Sequence, residues 1–204
     1  MTDMNDHWQG VYVGKAEDAL TWFQDTPEVS LGLIARTGVL PDARIIDIGG
    51  GASHLVDGLL ERDFSDLTVL DLADAGLQQS KDRLGDAAAR INWIVADITH
   101  WTPSGSFDLW HDRAVFHFLT DENDRAAYRN TLEAALVAGG QVIIGTFALD
   151  GPENCSGLPV RRYDGKTLGL ELGQGFRLQE TVLEGHVTPK GNIQNFQFSR
   201  FVRF

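Results

Sequence analysis

Short apolar runs rich in β-branched residues alternate with segments of helical period from Arg44 onward, and this alternation restricts the possible folds more than any other feature. A strand, a crossover helix and a second parallel strand form the repeating unit of sheets that carry helices on both faces. The apolar runs predict strands over 44–48, 67–71, 91–97, 107–112 and 141–148. We therefore expect a doubly wound, mostly parallel α/β sheet.

Helices are predicted in the intervals between these strands. Apolar residues recur at helical spacing over 53–61, 74–84 and 121–138. Gly139-Gly140 predicts the end of the last helix, because glycine directly after a periodic segment is a common stop signal. The chain thus has the crossover connections that parallel strands require.

The C-terminal part of the chain has a different pattern. A Gly-, Pro-, Asn- and Ser-rich stretch over 149–162 predicts a long loop, and a short helix is predicted over 163–172. Two strand-like runs then occupy 176–188 and 192–204, and Pro189-Lys190-Gly191 between them is a turn signal. The expected sheet therefore has seven strands and ends in an antiparallel hairpin.

The stretch before the first strand is predicted to be helical over 5–37. Its apolar bulk comes from four aromatic residues, Trp8, Tyr12, Trp22 and Phe23. The segment either forms a lid over a ligand crevice or packs against a sheet edge. Because 204 residues suit one hydrophobic core, we expect a single domain over 1–204, with a helical cap over 1–40 and the sheet-bearing core over 41–204.

The composition argues against several classes of partner. The formal charge is −12 at pH 7, from 29 acidic and 17 basic side chains, so nucleic acid or an anionic membrane would be repelled. No apolar stretch approaches the roughly 20 residues that a spanning helix requires, and the acidic N-terminus is unlike a signal peptide. With one cysteine and no predicted metal site, we expect a cytoplasmic monomer or homodimer that acts on a small molecule.

A glycine-rich turn, Asp47-Ile48-Gly49-Gly50-Gly51-Ala52-Ser53, follows the first predicted strand and precedes the first predicted helix. Glycines at this place let the backbone turn tightly and approach a ligand, while free N–H groups of the helix face that ligand. The dinucleotide fingerprint G-x-G-x-x-G would here use Gly49, Gly51 and His54, so its third glycine is missing.

Two further acids follow in the next strands. Asp71 ends the second predicted strand, about 20 residues beyond the turn, where a carboxylate accepts hydrogen bonds from ribose hydroxyls. Asp97 ends the third predicted strand. Each acid alone has a simpler interpretation as a turn former. Together with Asp47, however, they place three acids near the carboxyl ends of successive parallel strands, where such folds bind ligands.

The pattern Asp47-x-Gly49-x-Gly51-x-Ser53 resembles motif I of the class I S-adenosylmethionine-dependent methyltransferases, acid-x-G-x-G-x-G, with Ser53 in the last small position. FDLWHDRAVFHFL at 107–119 also resembles the fourth-strand segment of that family, and the resemblance covers about 44–204. It implies a Rossmann-like sheet ending in an antiparallel hairpin, S-adenosylmethionine as cofactor and S-adenosylhomocysteine as product.

The resemblance also implies roles for individual residues. Asp71 would bind the ribose, Asp97 would receive the adenine amino group, and Leu72 and Ile98 would contact the adenine faces. Asp47 would lie near the methionyl amino group, through water. The complete predicted cofactor-binding set is Asp47, Gly49, Gly50, Gly51, Ser53, Asp71, Leu72, Asp97 and Ile98.

The residues nearest the reacting methyl group are expected at the end of the fourth strand. Methyl transfer from a sulfonium is an in-line displacement, so the protein mainly fixes the acceptor and excludes water. The candidate catalytic residues are His111, Asp112, Arg113 and His117. His117 has an alternative interpretation as a packed core histidine, and Asp112 with Arg113 as an ion pair that shapes the pocket.

The acceptor atom is left open between several classes. Because no unambiguous base is present, acceptors that are already ionised fit, and a thiol or a carboxylate is expected. The loop over 149–162, with Arg161 and Arg162, is expected to line the acceptor pocket, which suits an anionic small molecule. Cys155 in this loop is either a reactive thiol or a small buried apolar residue.

Three further hypotheses stay open at this stage. An NAD(P)-dependent reductase would share the sheet, but the third glycine is missing and there is no Tyr-x-x-x-Lys pair of the short-chain reductase kind. A non-catalytic domain that binds S-adenosylmethionine or another nucleoside would keep the same crevice. Protein lysine methylation is a further acceptor class, because HWQGVY resembles the start of lysine-directed members.

Overall fold

The computed structural model describes residues 2–204, with side chains from Met4 onward. The helices are α1 (Thr2–Val13), α2 (Glu28–Thr37), α3 (Leu55–Leu60), α4 (Asp74–Leu84), α5 (Glu122–Ala135) and α6 (Gly165–Leu172). The strands are β1 (Arg44–Ile48), β2 (Asp66–Asp71), β3 (Ile91–Val95), β4 (Phe107–Arg113), β5 (Leu136–Phe147), β6 (Asn154–Cys155), β7 (Leu158–Pro159), β8 (Phe176–Val187) and β9 (Ile193–Arg203). Short 3₁₀ helices lie at Glu17–Ala19, Gly85–Arg90 and Phe116–Phe118. In this described part of the chain, no helix has both the length and the apolarity needed to cross a membrane.

Seven strands form one sheet in the order β3-β2-β1-β4-β5-β9-β8. The first five of these pair in parallel, whereas β9 pairs antiparallel with both β5 and β8. The strand order reverses between β1 and β4, and sheets of this kind open a ligand crevice beyond the carboxyl ends of the strands at that point. The predicted Rossmann-like, mostly parallel sheet with a C-terminal antiparallel hairpin is confirmed.

Helices cover both faces of this sheet. On one face Leu31 of α2 and Leu77 of α4 belong to the same buried cluster as residues of β1 and β2. On the other face Tyr128 of α5 and Leu168 of α6 pack with the opposite side chains of the same strands. Burial on both faces explains why the central strands read as continuous apolar runs and not as an alternating pattern.

The helix before β5 ends earlier than the sequence predicts. The predicted helix over 121–138 stops at Ala135, and β5 already begins at Leu136. Leu136 pairs with Phe107 of β4, so strand pairing ends the helix. The prediction that Gly139-Gly140 stops the helix is therefore wrong, and both glycines lie inside β5.

Two other predicted segments are interrupted. The helical stretch expected over 5–37 is two helices, and the 14–27 connection holds only a short 3₁₀ helix. Pro27 precedes the first residue of α2, where proline is tolerated because its missing N–H would have no helical partner. The predicted loop over 149–162 contains a small hairpin formed by β6 and β7.

Side-chain hydrogen bonds attach α1 to the segments after β2. The Asn5 amide donates to the carbonyl oxygen of Leu72 at 2.7 Å, and the Gln79 amide on α4 donates to the carbonyl oxygen of Tyr12 at 2.8 Å. These contacts hold α1 beside the glycine-rich turn.

Candidate active site

A cavity of about 460 Å³ opens beyond the carboxyl ends of the parallel strands. Its β2/β3 end is lined by Asp71, Leu72, Asp97 and Ile98. Its β4/β9 end is lined by Arg113, Cys155, Gln194 and Phe196. A concave, mainly apolar site with a few polar groups at this place in an α/β sheet is the usual form of a small-ligand site.

The glycine-rich turn lies between the two ends. Gly49 has a φ of +66° and Gly51 a φ of +32°, and a Cβ at either position would collide with a neighbouring side chain. Gly49 lines the cavity, whereas Gly50, Gly51 and Ser53 support the turn from outside the lining. The Ser53 hydroxyl accepts a hydrogen bond from the Leu55 N–H at 3.1 Å, but the N-cap position of α3 is occupied by His54.

Asp71 is the last residue of β2, and its side chain is buried at the edge of the cavity. One carboxylate oxygen accepts a hydrogen bond from the Ala73 N–H at 2.8 Å. Burial raises the pKa of the Asp71 carboxyl to about 7, against the hydrogen bond from Ala73, and the charge of Asp47 raises it further. A buried carboxyl group with a raised pKa in a cleft is typical of a ligand site.

Asp97 forms a tight turn beyond β3. One oxygen accepts hydrogen bonds from the Thr99 N–H at 2.9 Å and the Thr99 hydroxyl at 2.6 Å, and the other lies 3.1 Å from His100 Nδ1. Although partial burial acts to raise it, the contacts with Thr99 and His100 hold the pKa of Asp97 below its ordinary value. Asp97 is thus the turn former that the simpler interpretation predicts, and it also lines the cavity.

Asp47 lies within β1, behind the cavity. Its Oδ1 is 2.7 Å from Nδ1 of His111 on β4, and Nε2 of the same ring is 2.9 Å from the Ser30 hydroxyl on α2. All three side chains are buried. With the proton on Nδ1, His111 donates to Asp47 and accepts from Ser30, so the chain of hydrogen bonds fixes the Asp47 carboxylate under the turn.

Asp112 is completely buried on the opposite side of β4 from Arg113. Its carboxylate accepts hydrogen bonds from the Tyr128 hydroxyl at 2.6 Å and the Val115 N–H at 2.9 Å. Burial raises the pKa of Asp112 to about 6, although the bond from Tyr128 opposes this. The predicted ion pair with Arg113 is wrong, because successive side chains of a strand point to opposite faces.

His117 is also a core residue and does not line the cavity. Its Nδ1 accepts a hydrogen bond from the Phe147 N–H at 3.3 Å. Burial, together with the nearby Arg113 charge, lowers the pKa of His117 to about 3, so the ring is neutral. This is the packed position that the alternative interpretation of His117 describes.

Arg113 is the one residue of the four catalytic candidates that lines the cavity. Its Nη1 donates to the carbonyl oxygen of Trp22 at 2.9 Å, and its guanidinium carbon lies 4.8 Å from the centre of the Phe196 ring. Within the described residues, Nε and Nη2 have no hydrogen-bond partner. Burial lowers the pKa of Arg113 to about 10, so the side chain keeps its charge at neutral pH.

The two arginines of the 149–162 segment lie away from the cavity. Arg161 pairs with Glu171 at 2.7 Å and Arg162 with Glu153 at 2.9 Å, so local ion pairs hold both side chains. The prediction that they line the acceptor pocket is therefore wrong. Cys155 does line the cavity, and burial raises the pKa of its thiol.

Aromatic side chains from the N-terminal segment cover the cavity. Trp8 and Trp22 line it, as does Tyr12 beside the glycine-rich turn. The Trp8 ring meets Trp22 edge-on at 5.7 Å and Phe118 at 5.1 Å between ring centres. The N-terminal segment thus contributes to the cavity lining, and its role as a lid stays a prediction.

Sequence reasoning did not assign several cavity residues to the site, namely Phe118, Gln194 and Phe196. The last two belong to β9, which reaches the cavity only because β9 inserts between β5 and β8. The sequence around them, Gln194-Asn195-Phe196, predicts a strand but does not indicate a binding site.

The family described as a methyltransferase domain matches residues 45–140. A malonyl-[acyl-carrier protein] O-methyltransferase of Ilyobacter polytropus is 29% identical over 104 residues, which are 50% of this chain and 37% of that protein. An eEF1A lysine and N-terminal methyltransferase of Bos taurus is 23% identical over 188 residues, which are 91% of this chain and 24% of that protein. The chain therefore spans well under half the length of these curated relatives.

Solved structures share the fold over nearly the whole chain. A protein described in connection with the conversion of a disulfide bond into a thioacetal group during echinomycin biosynthesis superposes with a TM-score of 0.76 at 19% identity, over 98% of this chain and 92% of that chain. The family match covers the glycine-rich turn, Asp71 and Asp97, and the fold agrees with it. In sequence, the chain is therefore similar to the methyltransferase domain over residues 45–140.

Proposed function

We propose that this chain binds S-adenosylmethionine in the cavity and transfers its methyl group to a small-molecule acceptor at the β4/β9 end. The observation that carries the proposal is a single cavity that runs from the carboxylates after β2 and β3 to the guanidinium at the end of β4. Its volume of about 460 Å³ lies within the range of small-ligand sites.

The residues of the β2/β3 end suit an adenosine group. The Asp71 carboxylate would accept hydrogen bonds from the ribose hydroxyls, and Asp97 would receive the adenine amino group. Leu72 and Ile98, which line this end of the cavity, would supply apolar contacts to the adenine. The absence of a side chain at Gly49 lets the backbone approach the ligand closely.

Behind this end, Asp47 would act on the methionyl amino group through water, because its side chain does not line the cavity. His111 is then a positioning residue that holds Asp47. Gly50, Gly51 and Ser53 shape the turn, while Asp112 and His117 hold β4 and the following segment in the core.

When bound, S-adenosylmethionine supplies an electrophilic methyl group on a sulfonium. The chain contributes position and exclusion of water, since Trp8, Trp22 and Phe118 close the cavity above the end of β4. The same cover favours a small molecule over a lysine on a folded protein. The charge of −12 supports the expectation that nucleic acid is not the substrate, and the single cysteine fits a cytoplasmic protein.

Calorimetry with S-adenosylmethionine, S-adenosylhomocysteine and NADPH tests the cofactor. We expect the first two to bind and NADPH not to bind, and failure of both sulfur compounds would overturn the proposal. Transfer of a labelled methyl group to thiols, carboxylates, amines and phenols, followed by mass spectrometry, tests the reaction. Binding without transfer to any class would favour a non-catalytic binding domain.

A further inference from the structure

The β4/β9 end of the cavity contains the guanidinium of Arg113, which has unused hydrogen-bond donors among the described residues. Arg113 forms no ion pair within 4.0 Å among the described residues, and two of its guanidinium nitrogens have no hydrogen-bond partner. Glu184 on β8 is near enough to act on its charge, but one Glu184 oxygen accepts from the Gln24 amide and the other has no partner. Burying a guanidinium with unused donors costs folding free energy unless a bound ligand accepts hydrogen bonds from them.

The surroundings of Arg113 offer no base to a bound acceptor. The charged or titratable groups that act on Arg113 are Glu184, Cys155 and Asp47, and of these only Cys155, whose thiol is buried, lines the cavity. The core residues His117 and His186 also lie near Arg113. His117 is neutral, and the His186 ring is engaged with the carbonyl oxygen of Thr21 at 2.8 Å. Glu184 does not line the cavity, so an acceptor that had to lose a proton beside Arg113 would contact no carboxylate or free imidazole there.

The remaining titratable residues that line the cavity lie elsewhere in it. Asp97 and His100 contact each other at the β2/β3 end, where Asp71 also lies, and Asp124 is exposed on α5. Burial raises the pKa of the Tyr12 phenol, with Asp71 and Asp47 adding to the rise, so this hydroxyl stays protonated and is not a base.

From this arrangement we infer that the acceptor reacts as an anion, a carboxylate or a thiolate, and that Arg113 supplies its counter-charge and selects it. The inference rests on the proposed function. A lone pair of the anion forms a bond to the methyl carbon, and the carbon–sulfur bond of the sulfonium breaks with its electrons returning to sulfur. The products are a neutral methyl ester or thioether and S-adenosylhomocysteine, and no proton is released.

The walls around Arg113 add a preference for flat molecules. Phe196 lies against the guanidinium, and Trp8, Trp22 and Phe118 also line the cavity. A flat aromatic or unsaturated anion would stack on these aromatic side chains while one end of the molecule reaches the charge.

The test is a set of binding titrations on the full chain saturated with S-adenosylhomocysteine. The probes are benzoate, cinnamate and 4-nitrothiophenolate, each compared with a neutral counterpart, namely benzamide, cinnamamide and 4-nitrothioanisole. We expect at least one anion to bind about tenfold or more tightly than its neutral counterpart, the scale of a charge-assisted hydrogen bond. Which anion binds separates carboxylate from thiolate acceptors.

Substitutions of Arg113 assign that preference to the residue. Arg113→Gln should remove the preference, Arg113→Lys should keep part of it, and Arg90→Gln, which removes an exposed charge outside the cavity, should keep all of it. Equal binding of anions and neutral counterparts, binding of no anion, or an unchanged preference in Arg113→Gln would overturn the inference.

The same variants separate this inference from the proposed function. If wild-type protein does not bind S-adenosylhomocysteine, the proposed function fails. If it binds and Arg113→Gln binds it equally well, the variant is folded and the probe titrations decide. A loss of S-adenosylhomocysteine binding in Arg113→Gln would instead assign Arg113 to the methionyl carboxylate and overturn its role toward the acceptor.

Discussion

The two ends of the cavity are built in different ways. The β2/β3 end consists of residues that directly follow two neighbouring parallel strands, so short stretches of sequence determine it. The β4/β9 end is assembled from α1, β4, β6 and β9, which are far apart along the chain. The first end carries carboxylates that suit hydroxyl and amino donors, and the second carries a cation that suits an anion.

The two ends of the cavity also differ in how far the methyltransferase-domain match covers them. The match to the methyltransferase domain at residues 45–140 includes the strand termini that form the β2/β3 end. Most of the β4/β9 end lies outside the matched residues, including Cys155, Gln194 and Phe196. Cofactor binding and acceptor selection should therefore respond separately to substitution.

Removal of the Asp71 carboxylate should have the largest effect on the β2/β3 end. Asp71→Ala should weaken S-adenosylhomocysteine binding about tenfold or more, because paired hydrogen bonds to a charged group are lost. Calorimetry measures this, with Asp86→Ala as a control that removes an exposed acid outside the cavity. Unchanged affinity in Asp71→Ala would reject its role toward the ribose.

Loss of the Tyr128 hydroxyl should affect stability and not cofactor binding. This hydroxyl accepts from the Trp110 indole N–H at 2.8 Å and donates to Asp112 at 2.6 Å, and all three side chains are buried. Tyr128→Phe should lower the free energy of unfolding by about 1–3 kcal/mol, because two buried polar groups lose a partner. Denaturant titration measures it, and a variant as stable as wild type would contradict the structural role given to Asp112.

The β2/β3 end should also be sensitive to pH. Burial raises the pKa of Asp71 to about 7, and only the ionised carboxylate accepts two hydroxyl donors. Protonation therefore competes with the ligand, so affinity for S-adenosylhomocysteine should fall several-fold as pH drops from about 8 to about 6. Asp71→Asn should abolish this dependence, and affinity that rises toward acid pH would contradict the sign.

Substitution of Cys155 should have the smallest effect. Its thiol is buried with a raised pKa, which argues against a thiolate nucleophile, and the small side chain mainly fills space beside Arg113. Cys155→Ala should change methyl-transfer rates by about twofold or less once an acceptor is known. If Cys155→Ala lost as much methyl-transfer activity as Arg113→Gln, the thiol would have a direct role and the prediction would be wrong.

The sequence predicted the sheet and the β2/β3 end well because both depend on local patterns. The strand over 44–48 and the helix over 74–84 occur with the predicted bounds, and Asp71 and Asp97 line the cavity as expected. Where long-range pairing competes with local signals, prediction failed. The Gly139-Gly140 stop signal was overridden by pairing of Leu136 with β4.

The β4/β9 end could not be predicted for a related reason. His111, Asp112 and Arg113 are adjacent in sequence, but strand geometry sends Arg113 into the cavity and Asp112 into the core. Arg161 and Arg162 looked available in sequence, yet acidic partners in the fold neutralise them. The position of an arginine in the sequence therefore does not predict whether its side chain lines the cavity.

The most direct test of this division measures the dissociation constant of S-adenosylhomocysteine for wild type, Asp71→Ala and Arg113→Gln side by side. We predict that Asp71→Ala weakens binding about tenfold or more while Arg113→Gln stays within about twofold of wild type. Equal weakening by both substitutions, or weakening by Arg113→Gln alone, would contradict the assignment of the two ends.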